Sequence, residues 1–380
     1  MKQKFISLGL ALAMLLGVAG CNVTTPATVG TIGGVEIPAG IYLLAQYNAY
    51  NTTASLVDFA TGESADDVKV VLNAQVTGTT NGEEVTTDGA DYIHRLTLSS
   101  IEYYAATEAL FDQLGATLED AATSEVATTA DSMWESNGDV YEANGIARTT
   151  LEKYLTNAQK AAACLQALYG PDGQEPVTDG EYEQFVQEDC RYIESVVLPM
   201  VDYSTYTYAF TDATMESAIE AIADECVNFL TQNTGTEPLN DYAAMYQAAS
   251  QYVPRAMAVL GSTAETAQAG SFVSGSLYLP NDLANYDDDN GGNLLTDALD
   301  EAGMGCWTKI NLTSSLVVAR QMDPLKTYDI DTYKESYDLL GAMKQDELRD
   351  RLYADGAAME HQLDEGAMNT YKASNIKHSV

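Results

Sequence analysis

Apolar residues recur along this chain with two different periods, and the places where the period changes mark its elements. In "ATVGTIGGVEIPAGIYLLAQYNAY" a short alternating run meets Gly33-Gly34, a second run follows, and an apolar stripe opens near Pro38. That pattern predicts strand, tight turn, strand and helix. Residues 73–90 are rich in Thr, Gly and Asn around Asn81-Gly82 and predict a loop or loose hairpin. Leu110, Phe111, Leu114 and Leu118 share a helical face, as do Leu151, Tyr154, Leu155, Ala158, Leu165, Leu168 and Tyr169. Thr149-x-x-Glu152 reads as a capping box and Gly170-Pro171 as a stop; Thr178-x-x-Glu181 opens a short helix with Tyr182, Phe185 and Val186 inward.

The period shortens near residue 190. "RYIESVVLPMVDY" is β-branched and aromatic, as a buried strand is. Asp212 caps a helix carrying Met215, Ile219, Ile222, Cys226, Phe229 and Leu230 on one side, and a second helix within 240–260 bends or ends near Pro254. "GSFVSGSLYLP" is a Gly-rich loop or strand, "NLLTDALDEAG" a short helix, and "CWTKINLTSSLVVARQMDP" two strands around a turn. Beyond Pro324 the helical period returns. Asp331 is placed as its cap, Tyr333, Tyr337 and Leu340 form the first face, and Leu348 and Leu352 continue it. The tail "YKASNIKHSV" reads as loose.

The N-terminus and the charge place the chain. "MKQK" precedes an uncharged apolar run and then Cys21, the layout of a secretory signal peptide that is too short for a membrane span. Val18-Ala19-Gly20-Cys21 resembles the bacterial lipobox, which implies cleavage before Cys21 and diacylglycerol on its thiol. Each buried methylene of such an anchor contributes about 0.8 kcal/mol. Removing residues 1–20, with two Lys and no acid, takes the formal charge from -38 to -40. A chain this acidic has no electrostatic footprint for nucleic acid and is repelled by anionic lipid headgroups.

Candidate chemistry is sparse. Cys164, Cys190, Cys226 and Cys306 match no paired metal motif and allow three disulfide pairings or free buried thiols. "NYDDDNGGN" puts Asp287 and Asp289 at calcium-loop spacing. A full loop needs a carboxylate at its twelfth position, and Ala298 or Thr296 stands there, so a solvated acidic turn is the better reading. His94, His361 and His378 have no local partner motif, "GTIGG" lacks the Lys-Ser/Thr of a phosphate loop, and no cofactor or metal is expected. The 24 tyrosines outnumber seven Phe and cluster at Tyr103-Tyr104, Tyr203, Tyr206 and Tyr208. Most fit the edges of a core, while tyrosine also suits loose contact with unfolded segments.

The order of elements resembles that of the SurA/PrsA-type extracytoplasmic foldases, whose Gram-positive branch begins as lipoproteins. "ATVGTIGGVEIPAGIYL" resembles their opening, the helices at 101–118 and 150–170 with "PVTDGEYEQFVQEDCRYI" their approach to an isomerase domain, and "LTDALDEAGMGCWTKINLTSSLVVARQMDPL" a parvulin ending. "LLGAMKQDELRDRLY" resembles the returning helix. The resemblance implies a mainly α fold with a smaller α+β domain. It divides the chain into a signal peptide at 1–20, a SurA-like helical domain at 21–185, a parvulin-like domain at 186–326 and a C-terminal helical segment at 327–380 that packs on the N-terminal domain.

Parvulins carry one histidine on the first strand of their sheet and one on the last. Prolyl isomerisation must lower a barrier of about 18–20 kcal/mol. Here no histidine lies between 95 and 360, and the corresponding places fall near Tyr192 and Leu316. The resemblance therefore implies a membrane-tethered chaperone for unfolded exported polypeptides, on the extracytoplasmic face; the missing histidines argue against ordinary parvulin activity and leave no catalytic residue to name, with histidine-free assistance by a desolvating pocket as the alternative. The alternatives are a solute-binding lipoprotein of a transporter, which needs repeated strand–helix units around a cleft, and a structural surface protein.

Overall fold

A computed structural model describes residues 26–62, 67–80, 82–235, 242–262, 268–288 and 291–378. Signal peptide and lipobox lie outside these residues. In chain order the elements are β1 (Thr28–Ile32), β2 (Val35–Pro38), α1 (Ala39–Thr61), α2 (Val68–Asn73), β3 (Gln75–Thr80), β4 (Glu83–Asp88), α3 (Gly89–Leu114), α4 (Asp120–Ala143) and α5 (Arg148–Tyr169). Next come α6 (Asp179–Glu188), β5 (Arg191–Pro199), β6 (Val201–Asp202), β7 (Thr207–Tyr208), α7 (Ala213–Asn233), α8 (Tyr242–Val259), β8 (Val273–Tyr278), α9 (Pro280–Leu283) and α10 (Leu294–Ala302). The chain ends with β9 (Thr308–Asn311), β10 (Ser315–Met322), α11 (Pro324–Thr327), α12 (Ile330–Ser336), α13 (Leu339–Ala358), β11 (His361–Leu363) and α14 (Glu365–Thr370). Helix dominates and the sheets are small: the fold is mainly α with a smaller α+β part. No helix among the described residues is long and apolar enough to cross a membrane. Every strand pairing among them is antiparallel, unlike the repeated strand–helix units of a solute-binding cleft.

The chain divides into two compact units, Met1–Ala109 with Glu119–Ala158 and Tyr353–Val380, and Leu110–Leu118 with Gln159–Leu352. The first is organised by α1. Ile41, Tyr42 and Ala45 enter one apolar cluster, Leu44 a second, Ala49 and Tyr50 a third and Val57 a fourth. A helix that buries residues around so much of its circumference is a central one. Gly62, at φ 70, ends it in the left-handed cap that glycine adopts without penalty. Strands from both ends of the chain form one sheet of order β11-β1-β2. The Gly33-Gly34 turn has positive φ at both residues, as the sequence anticipates.

The second unit holds a four-stranded sheet of order β8-β5-β10-β9, covered on both faces. On one face Val196, Leu198, Leu316 and Val318 meet Ile219, Ala223 and Cys226 of α7 and Ala248, Ala249 and Tyr252 of α8. On the other, Ile193, Val317 and Ala319 meet Leu295 and Leu299 of α10 and Ile310 of β9. Period-two alternation on β5 and β10 thus fills two cores at once, which explains why both strands read as unbroken apolar runs.

Several local expectations are corrected. Residues 120–143, which the sequence reading leaves unassigned, form α4, with only Val126, Ala130 and Tyr141 buried on it. Thr149 lies inside α5, which begins at Arg148, so the Thr149–Glu152 box is not a cap; Glu152 instead accepts a hydrogen bond from Arg148 Nη1 at 2.6 Å. Asp329 rather than Asp331 caps α12, accepting from the Thr332 backbone N–H at 2.9 Å. Of the two readings at Pro254, a bend or an end, the end is excluded, because helix α8 runs on to Val259. The tail is docked: Ile376 is buried with Ala49, Tyr50 and Ile93, and the His378 ring stacks 6.4 Å from that of Tyr50. The Thr178–Glu181 capping box and the Asp212 cap form as anticipated.

Candidate functional site

In the first unit the two chain ends build a groove of about 690 Å³, with Tyr42, His94 and Leu98 on the N-terminal side and His361, Met368 and Tyr371 on the C-terminal side. Its geometry follows from the β1–β11 ladder, which sets His361 opposite Ile32, and from α14, whose Ala367 packs into the core beneath β1 and α1. Gln46, almost fully buried, donates from Nε2 to the Tyr371 carbonyl at 3.0 Å and to Tyr42 Oη at 3.4 Å. Tyr371 Oη donates to the Pro26 carbonyl at 2.7 Å. Burial pushes the Tyr42 phenol above its ordinary value, so it stays neutral and serves as an amphipathic wall. His361 Nε2 lies 2.9 Å from Oε1 of buried Glu102. The aromatic rings, Leu98 and Met368 share the trough with His94, His361, Glu365, Asn369 and Lys372, a mixed lining whose apolar part suits variable side chains because methionine repacks without fixed geometry. Separate sequence positions gave no sign that His94 and His361 share one groove; 267 residues part them and only the sheet pairing unites them.

Tyr192 and Leu316 do not come together. Tyr192 stands opposite Met322 at one end of the β5–β10 ladder and Leu316 opposite Leu198 at the other. At strand spacing that is about 20 Å. Both are buried, Leu316 in the α7–α8 core and Tyr192 with its ring 5.9 Å from Tyr328. Burial lifts the Tyr192 phenol far above its usual value and removes it from acid–base chemistry near neutrality.

Between them, on the same face, Glu194 pairs with Arg320 across the two strands. Arg320 is fully buried, and its Nε and Nη2 donate to Glu194 Oε2 at 2.7 and 2.6 Å. Nη1 donates to the Gly235 carbonyl at 2.6 Å, and the guanidinium lies 4.8 Å from the Trp307 ring centre. Trp307 Nε1 in turn donates to Thr234 Oγ1 at 2.8 Å. This cluster, invisible in the sequence because no local spacing links Glu194 to Arg320, satisfies its own charges and offers no free imidazole or hydroxyl to a substrate.

Cys164, Cys190, Cys226 and Cys306 form no disulfide, and of these four only Cys306 is exposed. Burial pushes the Cys190 and Cys226 thiols up to about 12, so neither is a nucleophile at neutral pH. Under native conditions an aromatic disulfide reagent should modify Cys306 quickly and Cys164, Cys190 and Cys226 only after denaturant is added. Rapid reaction of a second of these four thiols would contradict the packing described. In the acidic turn Asp288 Oδ1 accepts from Gly292 N at 3.0 Å and Asp287 Oδ1 from Asn293 Nδ2 at 2.8 Å, while Asp289 lies outside the described residues. No group of three metal-ligating side chains occurs among the described residues.

No protein-family model matches the chain, and no curated protein does. Among solved structures, the foldase protein PrsA from Streptococcus pneumoniae is similar at 11% identity and a TM-score of 0.35, over 79% of this chain and 100% of that one. The peptidylprolyl isomerase PrsA from Bacillus cereus is similar at 13% identity and a TM-score of 0.27, over 80% and 99%. PrsA from Bacillus subtilis is similar at 10% identity and a TM-score of 0.27, over 80% and 98%.

Proposed function

We propose that the chain is a lipid-anchored extracytoplasmic chaperone of the foldase type, which holds unfolded exported polypeptides and does not catalyse prolyl isomerisation. The observation that carries this reading is the groove between the chain ends, walled by Tyr42, Leu98, Met368 and Tyr371 and fixed by strand pairing. A trough of this chemistry binds apolar side chains without demanding one sequence. The lipobox ending in Cys21 supports the anchor, with residues 1–20 removed, and the order of elements supports a SurA-like domain at 21–185, a parvulin-like domain at 186–326 and a helical return at 327–380. The loss of isomerase activity is supported by the missing histidines and by the sealed Glu194–Arg320 cluster on the sheet face that holds Tyr192 and Leu316.

The test has two arms. The purified mature chain should suppress aggregation of a refolding client in proportion to its concentration. The same preparation should leave a proline-limited refolding phase, which takes roughly tens to hundreds of seconds uncatalysed, at its spontaneous rate. Acceleration of that phase would refute the loss of catalysis, and unchanged aggregation at every ratio would refute the chaperone role.

A further inference from the structure

In the second unit, β6 and β7 form a two-stranded ribbon that sets aromatic side chains in solvent. Val201 pairs with Tyr208 and Asp202 with Thr207, leaving Ser204 and Thr205 at the tip between Tyr203 and Tyr206. Tyr203 is 70% exposed and Tyr206 75%, with Phe210 also exposed just beyond the ribbon. Three aromatic side chains within eight residues of chain are thus open to solvent.

The ribbon is held rather than loose. Asp202 Oδ1 accepts from the Ser204 backbone N–H at 2.8 Å and from Ser204 Oγ at 2.6 Å, and Oδ2 accepts from Ser262 Oγ. These bonds keep the Asp202 carboxyl well below the ordinary carboxylate range. Tyr206 adopts φ 54, a left-handed conformation that a bulky side chain rarely takes. The Tyr208 and Phe210 rings lie 5.5 Å apart at its base. A backbone held in this way carries Tyr203 and Tyr206 on a preset turn, which lowers the cost of ordering them on binding.

Charge indicates the occupant. Residues 192–254 contain nine Asp and Glu and no Lys, Arg or His. Glu194, Asp224 and Glu225 are neutralised by Arg320, Lys309 and Arg255 from outside that stretch. Asp202 within the ribbon, and Asp212 and Glu216 just past Phe210, have no ion pair among the described residues. Exposed tyrosine faces within a cation-free acidic stretch match Lys and Arg side chains, which meet aromatic faces by cation–π attraction and are drawn in by the surrounding field. An anionic membrane is repelled by the same field.

We infer that the Val201–Tyr208 ribbon is a docking point for Lys- and Arg-bearing segments of unfolded polypeptide, with Tyr203 and Tyr206 as the contact rings. This rests on the chaperone reading and names the client chemistry within it. The probe is a short, fluorescent Gly/Ser peptide with interspersed Arg, beside Glu-bearing and uncharged versions. Each is titrated by anisotropy into the mature chain and into a Tyr203→Ser/Tyr206→Ser variant. The Arg peptide should bind at least about tenfold more tightly than the Glu peptide, and the variant should lose roughly five- to tenfold of that affinity with its circular dichroism unchanged.

Equal affinity for Arg and Glu peptides, or full affinity in the variant, overturns the inference. So does binding of zwitterionic phosphatidylcholine vesicles through the same two tyrosines without peptide discrimination. Aggregation suppression is scored in the same preparations. Suppression without charge discrimination removes the ribbon's role and leaves the chaperone reading standing. Arg-peptide binding that depends on Tyr203 and Tyr206, without suppression, supports the docking point and removes the chaperone reading.

Discussion

Arg320→Met should destabilise the second unit by about 3–5 kcal/mol, the cost of leaving one member of a buried ion pair alone. Glu194 has only a few per cent of its surface in contact with solvent and would keep a charge with no cation opposite it. The substitution also strips the Gly235 carbonyl of its donor and the Trp307 ring of its cation. The double variant Glu194→Leu/Arg320→Met should recover most of the loss, because apolar residues of similar volume replace buried ion pairs at little cost. Denaturant unfolding followed through Trp307 fluorescence, in a Trp134→Phe background that silences the tryptophan of the first unit, measures both variants. Equal losses in single and double variants would mean that the stranded Glu194 charge is not the main source of the instability. The comparison also bears on function: a cluster whose deletion by an apolar pair is tolerated serves the fold, whereas a catalytic cluster would show its loss in rate rather than in stability.

Gly30→Ala should have the second large effect, in the first unit. Gly30 has φ 122, and a Cβ there would fall on the Gln362 carbonyl oxygen and 2.7 Å from the Leu363 Cα. Those are backbone atoms of the neighbouring strand and cannot turn aside. Backbone strain alone costs about 1–3 kcal/mol, and separation of β11 from β1 adds the lost ladder. Gly34→Ala provides the control: its φ is also positive, at 81, but nothing lies within 4 Å of the new methyl, so only the conformational cost of about 1 kcal/mol remains. Gly30→Ala should therefore sensitise the segment after residue 358 to proteolysis and reduce client capture, while Gly34→Ala does neither. Similar behaviour of the two would show that β11 is not what holds the groove wall.

Much of the architecture is legible in the sequence because the relevant patterns are local. Gly33-Gly34 between two short apolar runs, Thr178 with Glu181, Asp212 before a stripe ending at Leu230, and the apolar runs at 191–199 and 315–322 each carry their meaning within a few residues. A local motif can still misplace a helix start, as the Thr149–Glu152 box and Asp331 do, and other parts of the chain carry no local signature at all. Helix α4 buries only Val126, Ala130 and Tyr141 over 24 residues, so its apolar positions are too sparse to read as a stripe, and helix propensity alone is a weak signal. The tail reads as loose because Ala373 and Ile376 are isolated apolar residues; their partners, Ala49, Tyr50, Val71 and Ile93, lie far back in the chain. The candidate sites are legible least. Register decides that Glu194 faces Arg320 and that Tyr192 does not face Leu316, and a shift of one residue would exchange the faces of the sheet.

The β11–β1 ladder also dictates an order of events. Gln46 and Tyr371, which meet across the groove, are 325 residues apart in the chain, and Tyr371 reaches Pro26 over 345. Contacts of such separation demand loop closure before they return any energy, so they form late. The second unit draws almost all of its residues from one continuous stretch, 159–352, and can assemble while the last segment is still to come. The first unit cannot complete its sheet until residues 361–363 arrive. A chain that emerges from its N-terminus onward therefore exposes the inner faces of α1 and β1 for nearly its whole length, and the groove between its ends, to which client binding is assigned in our proposal, is the last part of the molecule to exist.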